Sequence, residues 1–111
     1  MEVIKQYPVN MDRKTAYRLM NSNATKKMSD AEGSQLEIAS WVIYEGTDAT
    51  GEIKKVLSLS TTDGEIFGTV SSTFIKEFEK MFEYFGDDLT DISVISGKSK
   101  SNRTYITCEI A

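Results

Sequence analysis

Two consecutive stretches, Gln35–Tyr44 (QLEIASWVIY) and Ile53–Thr61 (IKKVLSLST), decide the fold of this 111-residue chain. The first alternates apolar residues with a period of two, which is typical of a β-strand. The residues expected on one face are Leu36, Ile38, Ser40, Val42 and Tyr44. The segment Gly46–Gly51 (GTDATG) between the stretches is rich in turn-forming residues. The two stretches therefore predict a long β-hairpin.

Downstream of this hairpin the pattern continues as a short strand and then a helix. Glu65–Val70 (EIFGTV) follows Asp63-Gly64, a pair that favours a tight type I′ turn with two positive φ angles. In Ser71–Phe85 (SSTFIKEFEKMFEYF) the apolar period becomes helical, with serines available as N-cap and a glycine as the stop. The apolar stripe consists of Phe74, Phe78, Met81, Phe82 and Phe85. Aromatic stripes at this spacing are typical of a core.

The chain closes with two more predicted strands, Asp91–Ile95 (DISVI) and Arg103–Ile110 (RTYITCEI), joined by the loop Ser96–Asn102 (SGKSKSN). In the last strand the residues expected to point outward are Arg103, Tyr105, Thr107 and Glu109. Together these features predict a mainly β fold with one helix (α+β). Its architecture would be a five-stranded Greek-key barrel of the oligonucleotide-binding (OB) type, with the amphipathic helix before the last hairpin.

The first third of the chain has the weakest pattern. Val3–Val9 fits a strand, Lys14–Met20 fits either a strand or a short helix, and Ser29–Ser34 fits an exposed loop. We expect a single domain over residues 1–111, with residues 1–33 as a less regular and partly mobile part.

Composition excludes most catalytic chemistry. The chain has no histidine and one cysteine, Cys108, so a disulfide within the chain, most zinc sites and the Ser-His-Asp and Cys-His mechanisms are excluded. We predict a protein that is not an enzyme and needs no cofactor or metal. The apolar neighbours Ile106 and Ile110 indicate a buried thiol. The lack of a signal peptide or membrane-length apolar run predicts a cytoplasmic protein without membrane contact.

Positive charge is concentrated at the two ends, although the net charge is −4. Lysines and arginines outnumber acids in residues 1–27 and 97–111, whereas most of the acids lie between Asp30 and Asp91. Two basic segments could converge into one groove for a polyanion. A charge asymmetry with no ligand is the alternative.

Single-stranded nucleic acid binding needs cations along the phosphates and aromatic faces on which bases stack. The final hairpin offers both in Lys98, Lys100, Arg103 and Tyr105, although Tyr105 could equally cover the outer surface of the sheet. Trp41 is a second stacking candidate, for which burial in the core fits the pattern as well.

The N-terminal part and the central hairpin add further cationic candidates. The N-terminal set comprises Arg13, Lys14, Tyr17, Arg18, Lys26 and Lys27. Lys54 and Lys55 project to opposite faces of one strand, so at most one of them joins such a groove, and Lys54 is the candidate.

From Lys54 to Ile110 the order of these features resembles the single-stranded DNA-binding proteins of small phages, including those with protein-primed linear genomes. The resemblance rests on the DG turn, the TVSSTF segment that leads into the helix and the SGKSKSNRTYITCEI hairpin. The region around Arg13-Lys14 and Asn21-Ser22-Asn23 is also similar to the N-terminal part of those proteins.

The resemblance implies an OB-like protein that coats displaced single strands during phage DNA replication or recombination, without sequence preference. Its partners would be single-stranded DNA and replication proteins, in the host cytoplasm. The DNA contacts implied by position are Lys98, Lys100, Arg103 and Tyr105. The oligomeric state is not indicated.

Two other readings stay open. A phage interaction protein could bind a host protein through its acidic middle, as a DNA mimic or an inhibitor. The carboxylates available for this are Glu45, Asp48, Glu52, Asp63, Glu65, Glu77, Glu79 and Glu83. Interleaved lysines interrupt this pattern and disfavour a mimic. A structural domain with no ligand is the third reading.

Overall fold

The computed structural model describes residues 2–47 and 50–111. The strands are β1 Glu2–Tyr7, β2 Lys26–Lys27, β3 Gln35–Thr47, β4 Ile53–Thr61, β5 Ile66–Thr69, β6 Asp91–Lys98 and β7 Thr104–Ile110. The helices are α1 Arg13–Asn21 and α2 Ser72–Phe85, with 3-10 turns at Met28–Ala31 and Gly86–Asp88. The predicted turn at 46–51 includes residues 48 and 49, so its tip and the acidic candidate Asp48 lie outside the described residues.

The sheet is organised around the long strand β3. The strand order is β2-β5-β4-β3-β6-β7, and β1 also pairs with β3. The beginning of β3 (35–37) pairs with β6, while its second half (41–45) pairs with β1 on one side and with β4 on the other. All these pairs are antiparallel except β2–β5. The result is a mainly β, curled half-barrel sheet, which confirms the predicted β class.

A β-bulge in β3 changes which residues face the core. The register with β4 shifts between Ile38 and Ser40, where β3 carries one extra residue. An extra residue reverses the alternation of the faces. Leu36 on one side of the bulge and Trp41 and Ile43 on the other therefore all enter the same core cluster. The predicted common face for Leu36, Val42 and Tyr44 is wrong for this reason.

Helix α2 fills the inside of the curl, as its apolar stripe predicts. Ser71 caps its N-terminus, where its hydroxyl oxygen accepts a hydrogen bond from the Phe74 N–H at 3.2 Å, and Gly86 ends it with a φ of 57°. Phe74 and Phe78 are fully buried and Met81 is nearly so. The Cys108 thiol lies 3.9 Å from the Phe74 carbonyl oxygen, which places β7 against the start of the helix.

Helix α1 packs on the other side of the β3–β4 hairpin. Its N-cap is Asp12, whose carboxylate accepts a hydrogen bond from the Thr15 N–H at 2.7 Å. Ala16 and Leu19 are its buried side chains. The hydroxyl of Ser58, on the face of β4 turned away from the core, donates to the Leu19 carbonyl oxygen at 2.6 Å.

Within the described residues the chain therefore has seven strands and two α-helices, and the predicted five strands and one helix are wrong. The additional elements come from the first third, where β1, α1 and β2 are short and bury few side chains. The predicted exposed loop at 29–34 is also corrected, because Met28 and Ala31 of the 3-10 turn lie in the core cluster.

The turn between β4 and β5 differs from the expected type I′ pair. A type I′ turn needs a positive φ at both Asp63 and Gly64. Gly64 has a φ of 90°, but Asp63 does not have a positive φ, because Asn102 is the one non-glycine residue in the described ranges that does. The turn is therefore a three-residue loop with glycine in the left-handed position. It is closed by the Thr61 N–H, which donates to the Glu65 carbonyl oxygen at 2.8 Å. The Thr61 hydroxyl donates to the Asp63 carboxylate, and this bond lowers the pKa of Asp63.

Candidate nucleic-acid interface

An open seam separates the two ends of the curled sheet. The strand pair β2–β5 lies on one side of this seam and β7 on the other, and a cleft of about 410 Å³ runs between them. Its apolar lining includes Val56, Val70 and Ile106, and Lys26 and Lys27 lie at its edge. Apolar walls with cations at the rim suit a ligand that has both flat apolar groups and negative charge.

A second cleft, of about 370 Å³, adjoins the first at Val70. Its lining includes Lys54 and Lys55 of β4 and Ile75 and Lys76 of α2. Val70 belongs to both clefts and is 55% exposed. The two clefts share Val70 in their lining, and the surface that they form together, from Ile106 past Val70 to Lys76, is here called the lysine groove.

The five lysines of this groove differ in their ion pairing. The Nζ of Lys26 lies 3.3 Å from Oε1 of Glu65 and 5.9 Å from the centre of the Phe67 ring. The Nζ of Lys55 lies 2.7 Å from Oε1 of Glu79. In residues 2–47 and 50–111, Lys27 and Lys76 form no ion pair. Lys27 and Lys76 are thus the cations with the smallest electrostatic cost of engaging a phosphate.

The structure places the predicted N-terminal set in two different locations. Lys26 and Lys27 line the lysine groove. The other members belong to α1, where they are exposed while Ala16 and Leu19 face the sheet. Those exposed side chains are Arg13, Lys14, Tyr17 and Arg18. They project away from the β3–β4 hairpin and do not line the groove.

The loop of the final hairpin forms a hydrogen-bonded turn. The Ser99 N–H donates to the Arg103 carbonyl oxygen at 2.9 Å, and Asn102 takes a φ of 63°. Lys98 pairs with Thr104, which shares a face of β7 with the groove residue Ile106 because side chains alternate along a strand. Lys98 therefore lies on the groove side of the hairpin, and Lys100 and Arg103 are exposed at its tip.

Tyr105 lies on the opposite face of β7, as predicted, and it covers a glycine. A Cβ placed on Gly97, its cross-strand partner, would be 2.7 Å from the Tyr105 hydroxyl oxygen and 3.1 Å from a ring carbon. The ring therefore lies across the bare backbone of Gly97 and is 37% exposed. This position corresponds to the alternative in which the tyrosine covers the outer surface of the sheet.

Trp41 is a core residue, and its assignment to the binding site is corrected. The indole is 1% exposed. Its ring meets the edges of Phe78 at 5.2 Å and Phe82 at 4.9 Å between centroids. A base cannot stack on a ring enclosed in this way. The bulge in β3 is the cause, because it turns Trp41 to the same side as Leu36.

Three residues near the groove escape sequence reasoning. The sequence pattern assigns Lys76 to the solvent-exposed face of a helix. It also predicts that, of Lys54 and Lys55, only Lys54 faces the groove, so that Lys55 would point away from it. Only the packing of the start of α2 beside β4 brings both to one cleft. Tyr44 adjoins Val56 at the groove, since both contact the position of a Cβ on Gly46 at 3.3 Å, and burial raises the pKa of Tyr44. A bulge near Ala39 reverses the alternation of faces, so a prediction that included it would have placed Tyr44 on the side of β3 away from the core.

Comparison with known proteins matched no family model, no curated protein and no solved structure. The similarity to phage single-stranded DNA-binding proteins therefore stays a prediction. In the ranges that the structure describes, neither helix is long and apolar enough to cross a bilayer.

Proposed function

We propose that this protein binds single-stranded DNA without sequence preference and coats displaced strands, with the lysine groove as the binding surface. The observation that carries the proposal is that lysines from three separate elements, β2, β4 and α2, line two neighbouring clefts that share the exposed apolar side chain of Val70. A single strand offers phosphates at regular spacing and, between them, bases whose flat faces are apolar.

The topology supports an OB-like barrel as the framework of this function. Strands β3 to β7 have the spatial order β5-β4-β3-β6-β7, and α2 follows the third strand of the five. In OB barrels the second and third strands and the loops after the first and fourth strands contact oligonucleotides. Here these are β4 and β5, the loop before β4, and the hairpin tip with Lys98, Lys100 and Arg103.

The lining of the groove favours binding that is indifferent to sequence. Its lining combines aliphatic side chains and flexible lysines with a few hydroxyl groups, and the aliphatic and lysine side chains suit ring faces and phosphates rather than the hydrogen-bonding edges of bases. Two of the acidic candidates, Glu65 and Glu79, are engaged by Lys26 and Lys55. This pairing weakens the alternative of an acidic mimic that binds a host protein.

Titration of fluorescently labelled oligo(dT) with the protein, followed by anisotropy, tests the proposal. We expect binding at low salt that weakens with a log–log slope of about −0.7 for each phosphate neutralised, and much weaker binding to a duplex of equal length. Labelled DNA is the suitable probe because Trp41 is enclosed. No binding to oligo(dT) at low salt would contradict the proposal and favour a protein partner for the acidic face.

A further inference from the structure

The C-terminal end of α2 carries an apolar surface that the proposed function does not use. Met81, Tyr84 and Phe85 line an open cleft of about 530 Å³, here called the α2 tail patch. Tyr84 is 84% exposed, and its ring meets the edge of Phe85 at 4.9 Å. A single exposed aromatic residue is ordinary, but an aromatic pair and a methionine lining a cleft is typical of an interaction site.

The surroundings of this patch are acidic. Glu77 and Glu83 lie at its rim with one cation, Lys80, and the 3-10 turn that follows α2 adds Asp87 and Asp88. A partner for this patch should therefore combine an exposed aromatic or apolar side chain with positive charge.

Helix α1 presents a surface of that kind. Its solvent side, the α1 basic face, comprises Arg13, Lys14, Tyr17 and Arg18. Tyr17 is 64% exposed among these cations. The adjacent carboxylate of Asp12 is already occupied by the Thr15 N–H. The charges of the two surfaces are therefore complementary, and each surface also carries an exposed tyrosine.

One copy of the chain cannot bring these two surfaces together. α2 packs on the side of the β3–β4 hairpin that carries Trp41, whereas α1 packs on the side that carries Ser58. We propose that the α1 basic face of one copy docks on the α2 tail patch of a second copy. This inference rests on the proposed function, because the contact would join neighbouring copies that are bound along one DNA strand.

Such a contact joins two different surfaces, so each copy keeps one of them available for a further copy and the contact can repeat along a strand. Two short helices bury less than the roughly 1,200 Å² of a standard specific interface, and the free protein should associate only weakly. Neighbours on one strand face each other at an effective concentration in the millimolar range, where a weak contact becomes significant. The expected consequence is cooperative coating of long strands.

Charge exchange tests the pairing. The variants are Arg18→Glu, Glu83→Arg and the double variant, with Tyr84→Ser to remove the apolar component. Each is titrated on oligo(dT) that holds one copy and on poly(dT) that holds many. We expect each single variant to lower the cooperativity on poly(dT) at least tenfold, the double variant to recover it, and affinity for the short oligonucleotide to stay within twofold of wild type.

Three outcomes would overturn the inference. These are unchanged cooperativity in both charge variants, no recovery in the double variant, and loss of short-oligonucleotide affinity in Arg18→Glu, which would assign α1 to DNA. Sedimentation of the free protein at high concentration and low salt repeats the test without DNA. There, weak association lost in the single variants and regained in the double variant supports the contact even if DNA binding fails, and its absence in wild type contradicts it.

Discussion

At the scale of single residues, two aromatic side chains of α2 differ in burial, and one belongs to the core while the other lies on the surface. Phe78 is fully buried and meets Trp41 edge to face, whereas Tyr84, six positions later, is 84% exposed. The stripe spacing alone assigns Phe78 to the core. It leaves Tyr84 outside the stripe, which is where the structure places it.

Replacement of Phe78 with alanine should lower the free energy of unfolding by roughly 3–5 kcal/mol, because it removes a buried ring and leaves a cavity beside Trp41. Tyr84→Ala is the matched control and should change stability by no more than about 0.5 kcal/mol. Urea denaturation measures both. Similar stabilities for the two variants would contradict the assignment of Phe78 to the core.

The lone thiol provides a second prediction at this scale. Burial, with a smaller contribution from the charge of Glu77, raises the pKa of Cys108 to about 12. The unfolded chain ionises near its ordinary value of about 8.5. Stability from this thiol is therefore complete below that value and falls as the pH rises towards 12.

The measurement is the difference in unfolding free energy between wild type and Cys108→Ala at pH 7 and at pH 10. The advantage of wild type should shrink at the higher pH, and the native thiol should react slowly with a disulfide reagent at pH 8. Rapid modification of the folded protein would show that the thiol is accessible, contrary to the structure.

At the scale of elements, the end of α1 is attached to the sheet by two hydroxyl groups, of Tyr44 and Ser58, and the shorter bond is the one from the buried Ser58. The last carbonyls of a helix have no partner within the helix, and Ser58 supplies one to Leu19 at 2.6 Å. Ser58 is 2% exposed, so water cannot replace it.

Ser58→Ala should therefore destabilise the protein by about 1–3 kcal/mol, because it leaves the Leu19 carbonyl buried without a donor. Ser101→Ala, at the exposed hairpin tip, is the control and should have little effect. Amide exchange should also quicken in α1 of the Ser58 variant. Unchanged exchange and stability would mean that α1 is held mainly by Ala16 and Leu19.

The elements that sequence predicted well are those with long, regular periods. Helix α2 is fourteen residues long, and the apolar spacing with the flanking serines and glycine predicts its bounds and most of its buried face, although Ile75 is also buried and lies outside the predicted stripe. In contrast, the faces of β3 depend on one extra residue near Ala39, and no local signal marks a bulge there. In α1, Ala16 and Leu19 give too short a pattern to distinguish helix from strand. The structure resolves that choice as a helix, which Asp12 caps and whose end contacts Ser58.

At the scale of the whole molecule, charge is grouped by folding rather than by sequence position. The two basic end segments converge only in part, because Lys26 and Lys27 line the groove and Lys98 lies on its side, whereas Arg13, Lys14 and Arg18 are on α1, away from the groove. The other groove lysines, Lys54, Lys55 and Lys76, come from the acidic middle of the chain. Their grouping depends on how α2 packs across β4, which a list of charges along the chain does not contain.

The same scale explains why an acidic protein can have a cationic binding surface. The net charge of −4 describes the whole chain, whereas a ligand in the groove would interact mainly with charges within about 10 Å, where the five lysines outnumber the carboxylates of Glu65 and Glu79. Glu77 and Glu83 of α2 line the α2 tail patch instead of the groove. Binding strength should therefore follow local substitutions rather than net charge.

The measurement that tests this account most directly compares two double variants of equal charge change on an oligo(dT) that holds one copy. Lys27→Glu with Lys76→Glu alters opposite ends of the lysine groove, and Lys14→Glu with Lys80→Glu alters α1 and the α2 tail patch. We predict at least a tenfold loss of affinity and a shallower salt dependence in the groove variant, with the control within twofold of wild type. Equal losses in both, or a loss confined to the control, would contradict the groove as the DNA-binding surface.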